Sequence, residues 1–188
     1  MKNLLILFLT IGLFSTSGQA QTTVNNVKIP ATVKGKSSTL NLNGAGVRKK
    51  AFFKVYVLSL YVKNKTKVSS AVLNDNIEKL FNLEITSKMV NSKNMEEAIR
   101  EGFDKSLNGD IGALSNEIDH FIEIFKHEDI KVGDVYTLHY IPEIGIKSYK
   151  NGKLLATVNA QGFSKALFGI WLGANPADSD LKEALLGK

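Results

Sequence analysis

Arg48 and Tyr56 are the two side chains whose types and spacing point most directly to chemistry. Arg48 ends a glycine-rich segment, Gly44-Ala45-Gly46-Val47, and leads into a run of strand-forming residues carrying Lys54, Tyr56 and Tyr61. A guanidinium offers a planar fork of donors and a phenol adds one more. An Arg at a strand entrance and a Tyr on that strand can therefore hold a carboxylate or an oxyanion. Alternation sends Lys54, Tyr56 and Leu58 to one face and Phe53, Val55, Val57, Ser59 and Tyr61 to the other, provided no bulge intervenes. A surface Arg beside a core Tyr gives the same pattern, and spacing alone does not separate the two readings.

Other chemistries are poorly provided for. The chain has no cysteine, which removes thiol nucleophiles, disulfides and thiolate metal sites. His120 and His127 stand two helical turns apart, too far for an i, i+4 pair, and His139 lies elsewhere; with no HExxH spacing, no metal is expected. A nucleophile elbow of the GxSxG type is absent. The segment Gly44 to Lys49 lacks both GK[ST] and GxGxxG, so a nucleotide loop is not expected and no cofactor is assigned.

Charge and hydropathy bound the partners and the compartment. The 24 basic and 18 acidic residues leave a net charge of +6, but the lysines are spread from Lys28 to Lys188 and no nucleic-acid motif occurs. The excess reads as a solvated surface, with some lysines available to steer a small anion, and no nucleic-acid partner is expected. At the N-terminus, Lys2 precedes an apolar stretch from Leu4 to Phe14, and Gly18 and Ala20 stand where a signal peptidase reads small residues. That stretch spans roughly 16 Å as a helix, about half of a ~30 Å hydrocarbon core. Residues 1–20 are expected to be a cleaved signal peptide, leaving an exported domain over 21–188 with no membrane span. The periplasm is the expected compartment, with the extracellular space as the alternative.

The elements that must position Arg48 and Tyr56 follow from pattern. Residues 21–34 read as an edge strand or irregular lead-in around Pro30, and 38–43 alternate as a strand that Gly44-Ala45-Gly46 interrupts. The run 51–63 reads as the central strand of a sheet, bent or bulged. A short helix over 69–74, capped by Ser69 or Ser70, precedes a strand over 77–89. Helices are predicted over 94–107, with Met95, Ala98, Ile99, Phe103 and Leu107 on one stripe, and over 113–127. Strands return over 134–141, 145–149 and 153–158, the last two joined by Asn151-Gly152, a strong hairpin signal. Helices over 161–172 and from Asp178 close the chain. This order predicts one α+β domain, an antiparallel sheet packed on helices.

Three stretches carry a family resemblance. LNLNGAGVRKKAFFKVYVLSLYV (40–62) resembles the strand, G-x-G-x-R and KVY pattern of the chalcone isomerase-like family. FSKALFGIWLG (163–173) with the following ANPADSDLKEALLG resembles its C-terminal helix pair, and EITSKMVNSKNMEEAIREGFDKSL its strand and helix. The resemblance implies an open-faced β-sandwich, a large antiparallel sheet packed against helices with a ligand cleft between. It also implies one of two activities. In the fatty-acid-binding branch an Arg and a Tyr hold a carboxylate, and Arg48 and Tyr56 match those positions. In chalcone isomerases, which are intramolecular lyases, the position of Tyr56 carries a Thr and a further Tyr and Asn lie around the first long helix. Here residues 88–103 offer Asn91 and Asn94 but no Tyr, which counts against cyclisation.

The expected function is thus binding of a small apolar anion, a fatty acid or a phenolic compound. Arg48, Tyr56, Thr86 and Ser164 are the ligand-binding candidates. The alternatives are an isomerase using Arg48 and Tyr56 as catalytic donors and a structural envelope protein without a ligand. The sequence assigns no oligomeric state.

Overall fold

Asn25 and Asn26 both take left-handed backbone, with φ of 48° and 66°, and fold the first strands β1 (Gln21–Val24) and β2 (Val27–Pro30) into a small hairpin. Two adjacent residues with positive φ are what a tight hairpin requires, and Asn tolerates that region better than most residues. The computed structural model describes residues 21–74 and 77–188. The signal peptide read at residues 1–20 lies outside the described residues.

The main sheet has seven antiparallel strands in sequential order: β3 (Thr32–Lys34), β4 (Thr39–Lys50), β5 (Phe53–Val62), β6 (Lys79–Ile85), β7 (Val135–Ile141), β8 (Gly145–Lys150) and β9 (Lys153–Val158). Among the described residues, five α-helices accompany it: α1 (Ser69–Leu73), α2 (Ser92–Ser106), α3 (Ser115–Ile122), α4 (Phe163–Leu172) and α5 (Ser179–Leu185). The α+β class and the sheet-on-helix arrangement are as the sequence predicts.

Each face of the sheet buries its own apolar set. Leu58, Leu60, Phe81 and Leu83 meet Phe103, Phe121, Phe168 and Trp171 from the helices. Phe81 stacks on Phe168 at 4.6 Å between centroids and meets Trp171 edge-on at 5.4 Å, geometries that aromatic pairs favour. On the opposite face, Val57, Tyr61 and Leu80 pack with Leu40 and with Val27 and Ile29 of the first hairpin. Tyr61 Oη donates to the Pro30 carbonyl at 3.0 Å, tying that hairpin down.

Several local expectations are corrected. Gly44-Ala45-Gly46 does not break the strand: β4 runs straight through it. The two glycines serve close approach instead. A Cβ on Gly44 would collide with the Ala184 and Leu185 backbone, and one on Gly46 would stand 2.8 Å from Ala184 Cβ. Their absent side chains let α5 lie against β4. The run 51–63 forms β5, the third strand of seven, and the centre is β6. The helix expected over 113–127 is α3 flanked by 3-10 turns at Gly112–Leu114 and Glu123–Phe125. Helix α1 starts after Val68 without a side-chain cap, while α2 begins two residues before Asn94, with Asn91 accepting from the Asn94 amide at 2.9 Å.

Candidate functional site

Arg48 on β4 and Tyr56 on β5 are register partners in the sheet. The next partners are Lys49 and Lys54, so Val55 has no opposite number and bulges from β5. The amide of Thr86 donates to the freed Val55 carbonyl at 3.1 Å. Alternation would set Phe53 and Val55 on the face opposite Tyr56. Across the bulge all three line one cavity instead.

That cavity holds about 290 Å³ and lies between the end of the β4–β5 hairpin and helices α2 and α4. Small-molecule sites range upward from about 300 Å³, so its size is at the lower end of that range. Met95, Ala98 and Ile99 of α2 and Ile170 and Trp171 of α4 give it apolar walls. Tyr56 and Trp171 are buried, while Phe53, Met89, Lys50 and Lys105 are exposed at the rim.

The polar groups on its wall include donors of the kind that an anion takes. Trp171 Nε1 donates to Tyr56 Oη at 2.8 Å. An indole N–H can only donate, so the phenol uses a lone pair there and keeps its own proton. Among the described residues no acceptor takes that proton. Burial pushes the Tyr56 pKa up from 10.0, opposed by the Trp171 bond and the Arg48 charge, so the group remains a neutral donor at ordinary pH. Arg48 Nη1 stands 3.5 Å from Asp178 Oδ2 and also donates to the Lys49 carbonyl. Asp178 has further duties: Oδ1 accepts from the Leu181 amide at 3.0 Å, capping α5, and Oδ2 accepts from the Lys49 amide at 3.1 Å. At the rim, the 2.6 Å contact with Lys105 pulls the Glu101 pKa down, and the Lys50 and Arg48 charges reinforce it.

Of the four ligand-binding candidates, Arg48 and Tyr56 share this cavity. Thr86 stands behind it, bonded through its amide to Val55, with its Oγ1 buried and unpartnered. Ser164 does not join them; it lines a second cavity, with Tyr140, Glu143 and Gly162, and its Oγ is likewise buried without a partner. The histidines are elsewhere. His139 Nε2 lies 2.7 Å from Glu78 Oε1, and His120 and His127 are exposed. Two contacts of the candidate site escape sequence reasoning. Trp171 reads in the sequence only as part of the helix over 161–172, though a buried indole needs an acceptor and that need is a usable signal. Asp178 was read as a helix start, and nothing in its spacing links it to Arg48.

Comparison with known proteins agrees with this architecture. A family model described as chalcone isomerase-like matches residues 21–187. Among solved structures, a fatty-acid binding protein of Arabidopsis thaliana superposes with a TM-score of 0.66 at 19% identity, over 86% of this chain and 92% of that one. At that identity the likeness speaks for the fold. No curated protein sequence matches significantly.

Proposed function

The chain belongs to the chalcone isomerase-like family, and from that premise we propose that it binds an amphipathic carboxylate, such as a fatty acid, in the cavity between β5, α2 and α4. One observation carries the reading: a guanidinium and a buried phenol with an uncommitted proton stand on the wall of an otherwise largely apolar cavity. The ligand's carboxylate takes the Arg48 fork and the Tyr56 proton, a charge-assisted pairing with donors already held in place. Its chain lies among Met95, Ala98, Ile99 and Ile170, each buried CH₂ contributing about 0.8 kcal/mol at most. That the Arabidopsis structural relative is a fatty-acid binding protein supports the same class. We place this activity in the periplasm, after removal of residues 1–20.

Native mass spectrometry of the protein, followed by organic extraction, tests the proposal. A bound fatty acid is expected, and Arg48→Ala should weaken binding by tenfold or more, because hydrogen bonds to charged groups contribute about 1.5–3 kcal/mol. Full affinity in Arg48→Ala would remove Arg48 from the site. Turnover of a chalcone, lost in the same variant, would favour the isomerase alternative.

A further inference from the structure

The hairpin that carries Arg48 and Tyr56 ends in Lys49-Lys50-Ala51-Phe52-Phe53-Lys54. Lys50 pairs with Phe53, so the loop is only Ala51 and Phe52. Loops of that length favour Gly, Asn and Asp, because they demand positive φ. Ala51 nevertheless takes φ 53°, and Phe52 beside it is 99% exposed. Two further apolar side chains adjoin it at the cavity rim, Phe53 at 52% and Met89 at 49% exposed. A non-glycine residue at positive φ and a fully solvated aromatic ring are both costly features.

The charge around these side chains is predominantly positive, with Glu101 and Asp180 as the acidic exceptions. Lys50, Lys54 and Lys88 are exposed, and among the described residues none forms an ion pair with a carboxylate. Lys49 is 3.8 Å from Asp180 and Lys105 is 2.6 Å from Glu101, so those two are partly neutralised. Lys54 Nζ donates to the neutral Asn25 Oδ1 at 3.2 Å and so keeps its charge unpaired. An aromatic tip collared by an excess of lysines complements an anionic bilayer, whose headgroups attract the cations and whose acyl boundary takes the rings.

We propose that the β4–β5 tip docks on the surface of a bilayer containing anionic lipid, with Phe52 inserted at the headgroup–acyl boundary. The docking stands on the tip alone. Its consequence rests on the carboxylate-binding reading: the cavity mouth, rimmed by Lys50, Phe53 and Met89, is brought against the membrane from which an acyl chain enters or leaves.

Co-sedimentation with phosphatidylcholine vesicles, with and without phosphatidylglycerol, tests the docking. Binding is expected only with the anionic lipid and should fall with added salt. Phe52→Ser should weaken it by about tenfold or more, and Lys54→Gln with Lys88→Gln by about fivefold per lysine. None of these three residues lines the cavity, so the affinity of each variant for a fatty acid in solution should stay at the wild-type value. The proposal is overturned if wild type does not sediment with anionic vesicles or Phe52→Ser sediments equally well. It is also overturned if Phe52→Ser abolishes self-association in the absence of lipid instead. Vesicle binding by a protein that takes up no fatty acid would remove the ligand reading and leave the docking in place.

Discussion

At the scale of single residues, the two donors of the proposed site contribute unequally to stability. Tyr56→Phe strips the acceptor from a buried indole N–H, and an unsatisfied buried donor costs about 1–3 kcal/mol. Urea denaturation should show that loss. Arg48→Ala should cost about 1 kcal/mol or less, since the Asp178 contact is long at 3.5 Å and Asp178 keeps the Lys49 and Leu181 amides as donors. A larger loss in Arg48→Ala than in Tyr56→Phe would reverse that assignment of roles. Asp178 sets the resting state of Arg48. Asp178→Asn keeps an oxygen for the α5 cap but removes the charge that competes for the guanidinium, so calorimetry should show several-fold tighter carboxylate binding. Unchanged affinity would mean that Asp178 does not compete.

At the scale of elements, two register shifts in the β4–β5 pair do the positioning. The shift at Asn43 turns its side chain so that Nδ2 donates to the Leu185 carbonyl at 2.7 Å and Oδ1 accepts from the Thr66 amide at 2.7 Å. That bond and the bare surface of Gly44 and Gly46 seat α5, and α5 brings Asp178 to Arg48. Gly44→Ala should therefore cost about 1–3 kcal/mol through overpacking and also disturb the cavity, which a paired melting and ligand-affinity measurement would reveal. Normal melting in that variant would show that α5 shifts freely. Here the limits of sequence reading are plain. Strands and helices were legible because their periods are local: Phe81, Leu83 and Ile85 alternate, and Met95, Ile99 and Phe103 recur at helical spacing. A bend or bulge in 51–63 was expected, though not its place at Val55; the Gly44 contact was not legible, because it is set by an element distant in the chain.

At the scale of the whole molecule, acidity enters through buried phenols rather than through the site's Arg. Burial raises the pKa of Tyr56, Tyr61 and Tyr136 above 10.0, and for Tyr136 the charges of Asp134 and Glu128 add to it. An acid whose folded pKa is raised contributes stability that is complete below its unfolded value and is lost as pH rises through the folded one. Melting temperature should thus be insensitive to these groups below pH 10 and fall above it. The Tyr136 hydroxyl is buried without a partner, so Tyr136→Phe should be neutral or stabilising at pH 7 and should fall less steeply above pH 10. Equal alkaline slopes for the two proteins would exclude Tyr136 as a source. The general architecture was readable because sheet and helices each declare an apolar face. Arg48 and Tyr56 were singled out through motif order, whereas the cavity that joins them depends on how α2 and α4 cross the sheet, which no local pattern encodes.

The indole bonded to Tyr56 is the only tryptophan in the chain. Its emission therefore arises at a single point, one hydrogen bond from the phenol proposed to meet the ligand. A carboxylate drawn to Tyr56 repolarises that bond and expels water from beside the ring, shifting the colour and intensity of the fluorescence. The protein thus carries its own optical readout of occupancy, and an unlabelled titration can follow filling and emptying in solution or on vesicles in real time.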